Sequence, residues 1–145
     1  NRYSKPITCM KLKDDDEVVT VTDSIGNEVF ITTKNGYGLR YLVDEITVVG
    51  LRASGVKAIT LKNDVVVSAS IFSNSEYLTV ITDKGTGKRI KLTEFETISR
   101  AKKGVLMVRD VKTNPYSIIN TFIVPNKTNL LVKVGSDFME IKLNF

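Results

Sequence analysis

The stretches VFITTKNGYGLR at residues 29–40 and LTVITDKGTGKR at residues 78–89 decide the fold, because they are two copies of one pattern. Three pairs of matching residues lie 49 positions apart in them: Gly36 and Gly85, Gly38 and Gly87, Arg40 and Arg89. A fixed offset of this size is typical of proteins built from repeated structural units.

The repeat extends beyond these two stretches. The run ITCMKLKDD at residues 7–15 matches VKAITLKND at residues 56–64 with the same offset. Gly135 indicates a third copy, whose sequence matches the first two only weakly. It follows Gly36 by 99 positions, which implies about one inserted residue near Pro125. We therefore predict one domain over residues 1–145. Its repeats are 1–13 (the end of a preceding unit), 14–62, 63–112 and 113–145 (incomplete).

Short runs rich in β-branched and aromatic residues predict strands in every repeat. They cover residues 18–21, 29–33, 38–43, 56–61, 65–72, 77–82, 88–92, 105–108, 116–124, 130–134 and 138–143. Gly36 and Gly85 fall between strands, where a hairpin turn needs a residue with positive φ. About four strands per repeat is the size of a propeller-type blade, so the predicted fold is all-β. The core positions predicted from the pattern are Phe30, Ile59, Leu61, Val80 and Ile90.

The composition excludes several kinds of chemistry. The chain has no histidine and one cysteine, Cys9, which removes Ser-His-Asp and Cys-His catalysis and the usual zinc sites. We expect Cys9 to be a small buried hydrophobe in a reducing compartment. The acidic run DDDE at residues 14–17 lacks the alternation of a calcium loop and indicates an acidic turn. The longest uncharged run, residues 65–75, is too short and polar to span a bilayer.

The motif over residues 28–61 resembles the blade motif of one protein family. It runs TKNGYGLR at 33–40, DEI at 44–46 and LRASGVKAI at 51–59. This order is similar to that of the C-terminal domains of the gyrase and topoisomerase IV A subunits, and the resemblance covers nearly the whole chain. The copy at residues 77–111 is weaker, because Ser99 replaces Gly50 and Asp110 replaces Leu61.

The resemblance implies a fold and a function. The family fold is a β-pinwheel, a ring of about four-stranded antiparallel blades whose neighbours exchange strands and whose basic rim bends double-stranded DNA. Family rings have five or six blades, so a partial ring is expected here. DNA cleavage, ATP and Mg²⁺ belong to other domains of the parent type II topoisomerase. No cofactor and no small-molecule ligand are therefore expected on this chain.

The resemblance also implies partners and a location. The partners are duplex DNA, the ATPase B subunit, and the remaining domains of the parent enzyme's A subunit. The topoisomerase IV branch is favoured over the gyrase branch, because no Gln-Arg-Arg-Gly-Gly-Lys-Gly string occurs. The expected location is the cytoplasm, at the nucleoid, with a peripheral membrane position of the parent complex left open.

The basic residues are the candidate DNA contacts, since the formal charge is +5 and lysine and arginine recur at repeat positions. The candidates are Arg40, Arg52, Lys57, Lys62, Lys88, Arg89, Arg100, Lys102 and Lys103. One alternative is that these are solvated charges at strand edges. A second is that Arg40 and Arg89 form ion pairs with Glu45 and Glu94. A protein-interaction propeller without a nucleic acid partner also stays open, and a hydrolytic enzyme is the weakest alternative.

Overall fold

The computed structural model describes residues 5–109, 112–126 and 129–142. Within them the chain forms antiparallel strands and two single 3-10 turns, with no α-helix, which confirms the all-β prediction. The strands are β1 (Glu28–Thr33), β2 (Tyr37–Leu42), β3 (Val66–Phe72), β4 (Tyr77–Thr82), β5 (Gly87–Lys91), β6 (Val105–Leu106), β7 (Ile118–Val124), β8 (Leu130–Val134) and β9 (Asp137–Ile141). The turns are Val43–Glu45 and Leu92–Glu94.

The first sheet has four strands in the order β3-β1-β2-β6. Its centre is the β1–β2 hairpin, whose tight turn places Gly36 at φ +91°, in the left-handed region that glycine adopts without strain. Both outer strands come from the next repeat, because β3 pairs with β1 and β6 pairs with β2. Neighbouring repeats therefore exchange strands, as the family resemblance implies.

The second sheet repeats this plan with three strands in the order β5-β4-β7. Ile31 of β1 faces Ala69 of β3, and Val80 of β4, 49 positions after Ile31, faces Thr121 of β7. The last sheet in the described residues is the β8–β9 hairpin.

The third repeat departs from the expected spacing. Thr121 follows Ala69 by 52 positions, so three residues are inserted between β6 and β7. Gly135 follows Gly85 by only 50, because the turn between β8 and β9 has two residues, 135–136, where the turn between β4 and β5 has four, 83–86. The expected single insertion near Pro125 is thus wrong in its place, although the net change of one residue is right.

Two apolar clusters form the core. The larger one joins the first two sheets and includes the edge-to-face pair Phe30–Phe95, whose ring centroids lie 4.9 Å apart. A close backbone crossing holds β6 against β2, where a Cβ on Gly104 (φ +86°) would lie 2.5 Å from the carbonyl oxygen of Gly38. Of the predicted core residues, Phe30, Ile59, Val80 and Ile90 are buried.

Several expectations for the first part of the chain are wrong. Leu61 is 42% exposed and Cys9 is exposed, and neither residues 18–21 nor residues 56–61 form strands. By the repeat, these segments correspond to β3 and β6, which form only by pairing with the hairpin of a preceding repeat. No such hairpin is present among the described residues, so the segments form no strands, and apart from the buried Ile59 their large apolar side chains are exposed.

Some expectations fall on residues 1–4, 110–111, 127–128 and 143–145, which lie outside the described residues. They concern the chain's first residues, the end of the second repeat near Asp110, and the end of the last strand at Leu143. The division of the domain into numbered repeats stays a prediction.

Candidate nucleic-acid interface

The basic residues gather where one repeat ends beside a loop of the next. The backbone N–H of Lys11 donates to the carbonyl of Ala53 at 3.1 Å, and the N–H of Thr60 donates to the carbonyl of Lys102 at 2.9 Å. Donors and acceptors are each 49 positions apart. The structure therefore builds the same junction twice, once between residues 7–13 and 51–54 and once between residues 56–62 and 100–103.

Exposed lysine and arginine side chains occupy both junctions. We name the basic band from these residues: Lys11, Lys13 and Arg52 at the first junction, and Lys57, Lys62, Lys102 and Lys103 at the second. Five of the nine predicted contacts belong to it. Lys13 occupies the same repeat position as Lys62, 49 residues later. Lys11 was not predicted, because the residue at its position in the next repeat, Thr60, carries no charge.

Arg100 holds the second junction together rather than pointing freely into solvent. Its backbone N–H donates to Glu45 Oε2 at 2.7 Å and its Nε to the Glu45 carbonyl at 3.0 Å. Its Nη1 donates to the carbonyl of Lys57. The N–H of Ala101 also donates to Ala58 at 2.9 Å. Arg100 therefore ties two basic segments to each other, and its role as a direct DNA contact stays a prediction.

An open cavity of about 580 Å³ lies beside the second junction. Lys62 and Lys103 line it together with Tyr37 and Tyr116, and Lys103 Nζ lies 4.5 Å from the centroid of the Tyr37 ring. The Tyr37 side chain is half-buried, and Lys103 covers one face of its ring in a cation–π arrangement.

Arg40 was predicted as a DNA contact, which stays a prediction, and in the structure its guanidinium is engaged by hydrogen bonds within the protein. Its Nε and Nη2 donate to the two carboxylate oxygens of Glu28 at 2.9 and 2.6 Å. Its Nη1 donates to the carbonyls of Leu92 and Phe95 at 2.9 and 3.3 Å, and its guanidinium lies 5.6 Å from the centroid of the Phe72 ring. Arg40 therefore joins its own hairpin to the 3-10 turn of the next repeat.

The proposed ion pair of Arg40 was right in kind but wrong in partner. Arg40 faces Phe30 across the hairpin, so the side chain two residues before Phe30, Glu28, is its diagonal neighbour on the same face. Glu45 lies past the end of β2 and bonds to Arg100 instead. Hydrogen bonding from Arg40 holds the pKa of the Glu28 carboxyl below its ordinary value, against the opposing effect of burial and with further help from the Thr97 hydroxyl.

The two remaining candidates lie on β5, away from the junctions. Arg89 is half-buried with its guanidinium carbon 5.7 Å from the centroid of the Tyr77 ring, and its pairing with Glu94 stays a prediction. Lys88 is exposed, and its Nζ donates to the carbonyl of Met107 at 3.1 Å. Neither residue belongs to the basic band.

The described residues contain no group of three or more acidic or cysteine side chains placed to hold a metal ion. Nor do they contain a helix that could cross a membrane. The acidic run at residues 14–17 is exposed and includes a turn in which the N–H of Asp16 donates to the carbonyl of Lys13.

Comparison with known proteins gives consistent matches. A family model described as the DNA gyrase C-terminal domain, a β-propeller, matches residues 1–22, 27–73 and 76–125. The DNA topoisomerase 4 A subunit of Bacillus subtilis (strain 168) is 45% identical over 123 residues, 83% of this chain and 15% of that protein. The protein of the same name from Staphylococcus epidermidis is 33% identical over 134 residues, 90% of this chain and 17% of that protein.

Solved structures resemble the chain over nearly its full length. A crystal structure of the C-terminal domain of DNA topoisomerase IV superposes with a TM-score of 0.87 at 42% identity, covering 98% of this chain and 45% of that one. A DNA gyrase A C-terminal domain gives a TM-score of 0.79 at 20% identity, covering 96% and 48%, which is a likeness of fold. The chain thus spans under half of these solved domains and about a sixth of the curated relatives.

Proposed function

This chain belongs to the DNA gyrase C-terminal domain family of β-propellers, and from that premise we propose that it is a non-catalytic module that binds and bends duplex DNA. Its curated relatives are A subunits of topoisomerase 4, so the topoisomerase IV branch is the better assignment. In the proposal the module helps an ATP-dependent type II topoisomerase capture and orient DNA segments for decatenation and relaxation.

The observation that carries the proposal is the repeated junction. Two copies of one backbone contact, Lys11 to Ala53 and Thr60 to Lys102, each bring exposed cations to the surface. A surface that binds DNA without reading its sequence needs several cations on one face, since released counterions supply most of the affinity. A cation site that is present in every blade is repeated along the curved edge of the ring. A bent duplex can contact several such sites at once.

The band is also free to engage phosphate. Among the described residues, the lysine and arginine side chains of the band form no ion pair. An ion pair joins Arg40 to Glu28, which lie outside the band. In the proposal DNA cleavage, ATP and Mg²⁺ act elsewhere in the parent enzyme. Its partners there are an ATPase subunit together with the remaining domains of the A subunit, in the cytoplasm at the nucleoid.

The test is fluorescence anisotropy with two unrelated labelled duplexes over a series of salt concentrations. Binding should be similar for both duplexes, because phosphate contacts carry no sequence information. The dissociation constant should be on the order of micromolar or weaker at physiological salt, with a log–log salt slope of about −0.9 per phosphate neutralised.

Single substitutions locate the surface. Lys62→Ala and Lys102→Ala should each weaken binding to both duplexes and reduce the slope by about one. Lys91→Ala is the matched control, because Lys91 is an exposed lysine on β5 outside the band and should leave both quantities unchanged. Salt-independent binding, or equal losses in Lys91→Ala and Lys62→Ala, would remove the basic band as the DNA surface.

A further inference from the structure

The open cavity of about 580 Å³ beside the second junction combines aromatic rings with cations. Its volume lies within the range of sites that bind small molecules. We name it the tyrosine cavity, and its rings, cations and side-chain amides are those of Tyr37, Tyr116, Lys62, Lys103, Asn35 and Asn63.

The tyrosine cavity is built around the turn of the β1–β2 hairpin, on which three segments converge. Asn35 Nδ2 donates to the carbonyl of Asn63 at 3.1 Å, and the N–H of Met107 donates to the carbonyl of Gly36 at 2.8 Å. The N–H of the first residue of β7 donates to a carbonyl of the same turn at 2.9 Å. This hairpin has both of its flanking strands, β3 and β6, in place, so the cavity is not an edge left open by the ends of the chain.

The two tyrosine rings are half-buried and held in position. Tyr116 Oη donates to the carbonyl of Arg109, and Tyr37 lies opposite Leu106 in the pairing of β2 with β6. The Nζ of Lys103 lies 4.5 Å from the centroid of the Tyr37 ring. A cation–π contact at an exposed site is weak, so a flat ligand can take the place of the ammonium over the ring.

The cavity is cationic and also offers an amide. Lys62 and Lys103 line it, and none of the described residues that line it is acidic. The bond of Asn35 to Asn63 uses one of the two N–H groups of the Asn35 amide, and the second N–H and the amide oxygen are groups that pair with the edge of a base. A ring, a cation and an amide in one cavity match the base face, the phosphate and the base edge of one nucleotide.

We propose that the tyrosine cavity holds an unpaired nucleotide of a DNA strand, with its base stacked on a tyrosine ring and its phosphate beside Lys62 or Lys103. In an intact duplex the neighbouring bases cover both faces of every base, so only a base that has left the stack reaches these rings. Aromatic side chains beside cations are the usual means by which proteins hold single strands. An acidic peptide would engage the lysines and leave the rings unused. The choice of DNA as the nucleic acid rests on the proposed function.

The tyrosine cavity differs from the basic band because its rings are not repeated. Thr86 occupies the position of Tyr37 in the second repeat, 49 residues later. Asp64 occupies the position of Tyr116 in the first repeat, at the offset of 52 that relates β3 to β7. We therefore expect the unpaired nucleotide to bind at one place on the chain, which can be changed without altering the first junction.

The experiment is fluorescence anisotropy of the intact chain with three labelled probes at one salt concentration: a short thymidine strand, an abasic strand of equal length, and a duplex. The abasic strand has the same phosphates and no bases, so the ratio of the two single-strand dissociation constants isolates the contribution of the bases. The unchanged chain should bind the thymidine strand at least about fivefold more tightly than the abasic strand, because stacking of one base on an aromatic side chain contributes on this scale.

Substitutions locate the rings. Tyr37→Leu and Tyr116→Leu should each lower the ratio toward one and leave the affinity for the duplex unchanged. Tyr116→Phe should keep the ratio, because it keeps the ring and removes only the hydroxyl that bonds to Arg109. Phe138→Leu is the matched control and should also keep the ratio, since Phe138 is an exposed aromatic residue with Lys133 Nζ 5.9 Å from its ring centroid and lies outside the cavity. Circular dichroism checks that each variant is folded.

Two further measurements separate this proposal from duplex binding and from binding of a free nucleotide. Arg52→Ala, at the first junction, should weaken the binding of all three probes by a similar factor and leave the ratio unchanged. Thymidine monophosphate at the concentration of the strand should not displace it, because a free nucleotide lacks the neighbouring phosphates that the basic band contacts.

The proposal is overturned by a ratio of one for the unchanged chain, by no binding of the thymidine strand, or by a ratio that both leucine variants retain. An equal loss of duplex binding in the leucine variants, or displacement by thymidine monophosphate, also overturns it. If the duplex does not bind while the ratio and its loss are as expected, the proposed function fails and the tyrosine cavity remains a site for an unpaired nucleotide.

Discussion

Replacing Arg40 by methionine should destabilise the fold strongly, although Arg40 looks from the sequence like a surface cation. The change removes four hydrogen bonds: two to the Glu28 carboxylate and two to the carbonyls of Leu92 and Phe95. The methionine keeps most of the apolar stem that packs near Phe72. The loss is therefore mainly electrostatic.

The magnitude follows from the burial of the pair. Removing one partner of a fully buried ion pair costs about 3–5 kcal/mol, because the other charge stays buried and unpaired. The side chains of Arg40 and Glu28 keep 18% and 14% of their exposure, so water compensates part of the loss. We expect Arg40→Met to lower the free energy of unfolding by about 2–3 kcal/mol. Adding Glu28→Gln should recover about 1 kcal/mol, since it removes the stranded charge.

The assay is urea unfolding followed by circular dichroism at neutral pH. Arg52→Met is the control, because Arg52 is exposed and takes no part in the hydrogen bonds that Arg40 makes, and it should change the free energy of unfolding by less than about 0.5 kcal/mol. If Arg40→Met costs no more than Arg52→Met, then the hydrogen bonds of Arg40 between the two repeats do not stabilise the fold and the structural assignment of Arg40 is wrong.

Three further results are expected. Because the folded-state pKa of Glu28 lies below its ordinary value of 4.5, its stabilising effect is present above that value and is lost as pH falls through the folded pKa. The difference in the free energy of unfolding between the unchanged chain and Glu28→Gln should therefore narrow in urea titrations as pH is lowered below 4.5. Gly104→Ala should cost more than about 2 kcal/mol in thermal or urea unfolding, while Gly50→Ala, where a Cβ meets nothing within 4 Å, should cost little. Arg100→Ala should weaken DNA binding in anisotropy titrations without lowering the salt slope, since Arg100 positions the band; a slope reduced by about one would make it a phosphate contact instead.

The repeat made the architecture predictable. An offset of 49 fixes which residues share a structural position, and a turn such as that at Gly36 needs a conformation that glycine supplies. β4 and β8 were therefore predicted with the bounds they have. Part of the basic band was predictable, because Lys13 and Lys62 occupy one repeat position. The placement of Lys11 beside Arg52 was not, because it depends on the contact between Lys11 and Ala53, which lie 42 residues apart.

The errors arose where a neighbour decides the outcome. Leu61 and residues 18–21 have strand-like, apolar sequences, but their burial depends on a partner strand supplied by another repeat. Arg40 and Arg52 are chemically identical in the sequence. Arg40 differs because Glu28 lies on the facing strand and the carbonyl of Leu92 approaches from the next repeat. These partners are distant in the sequence, so the residues next to Arg40 do not reveal them.

The exchange of strands also determines how long the edges of a hairpin stay unpaired while the chain is synthesised. The β1–β2 hairpin is complete at Leu42, yet its flanking strands β3 and β6 are not finished until Phe72 and Leu106. At roughly 5–20 residues per second, the ribosome needs about 3–13 seconds to deliver the last of them. A hairpin of this size closes within microseconds. The nascent chain thus carries a finished hairpin with both edges open for seconds, and neighbouring chains on one polysome have that long to capture each other.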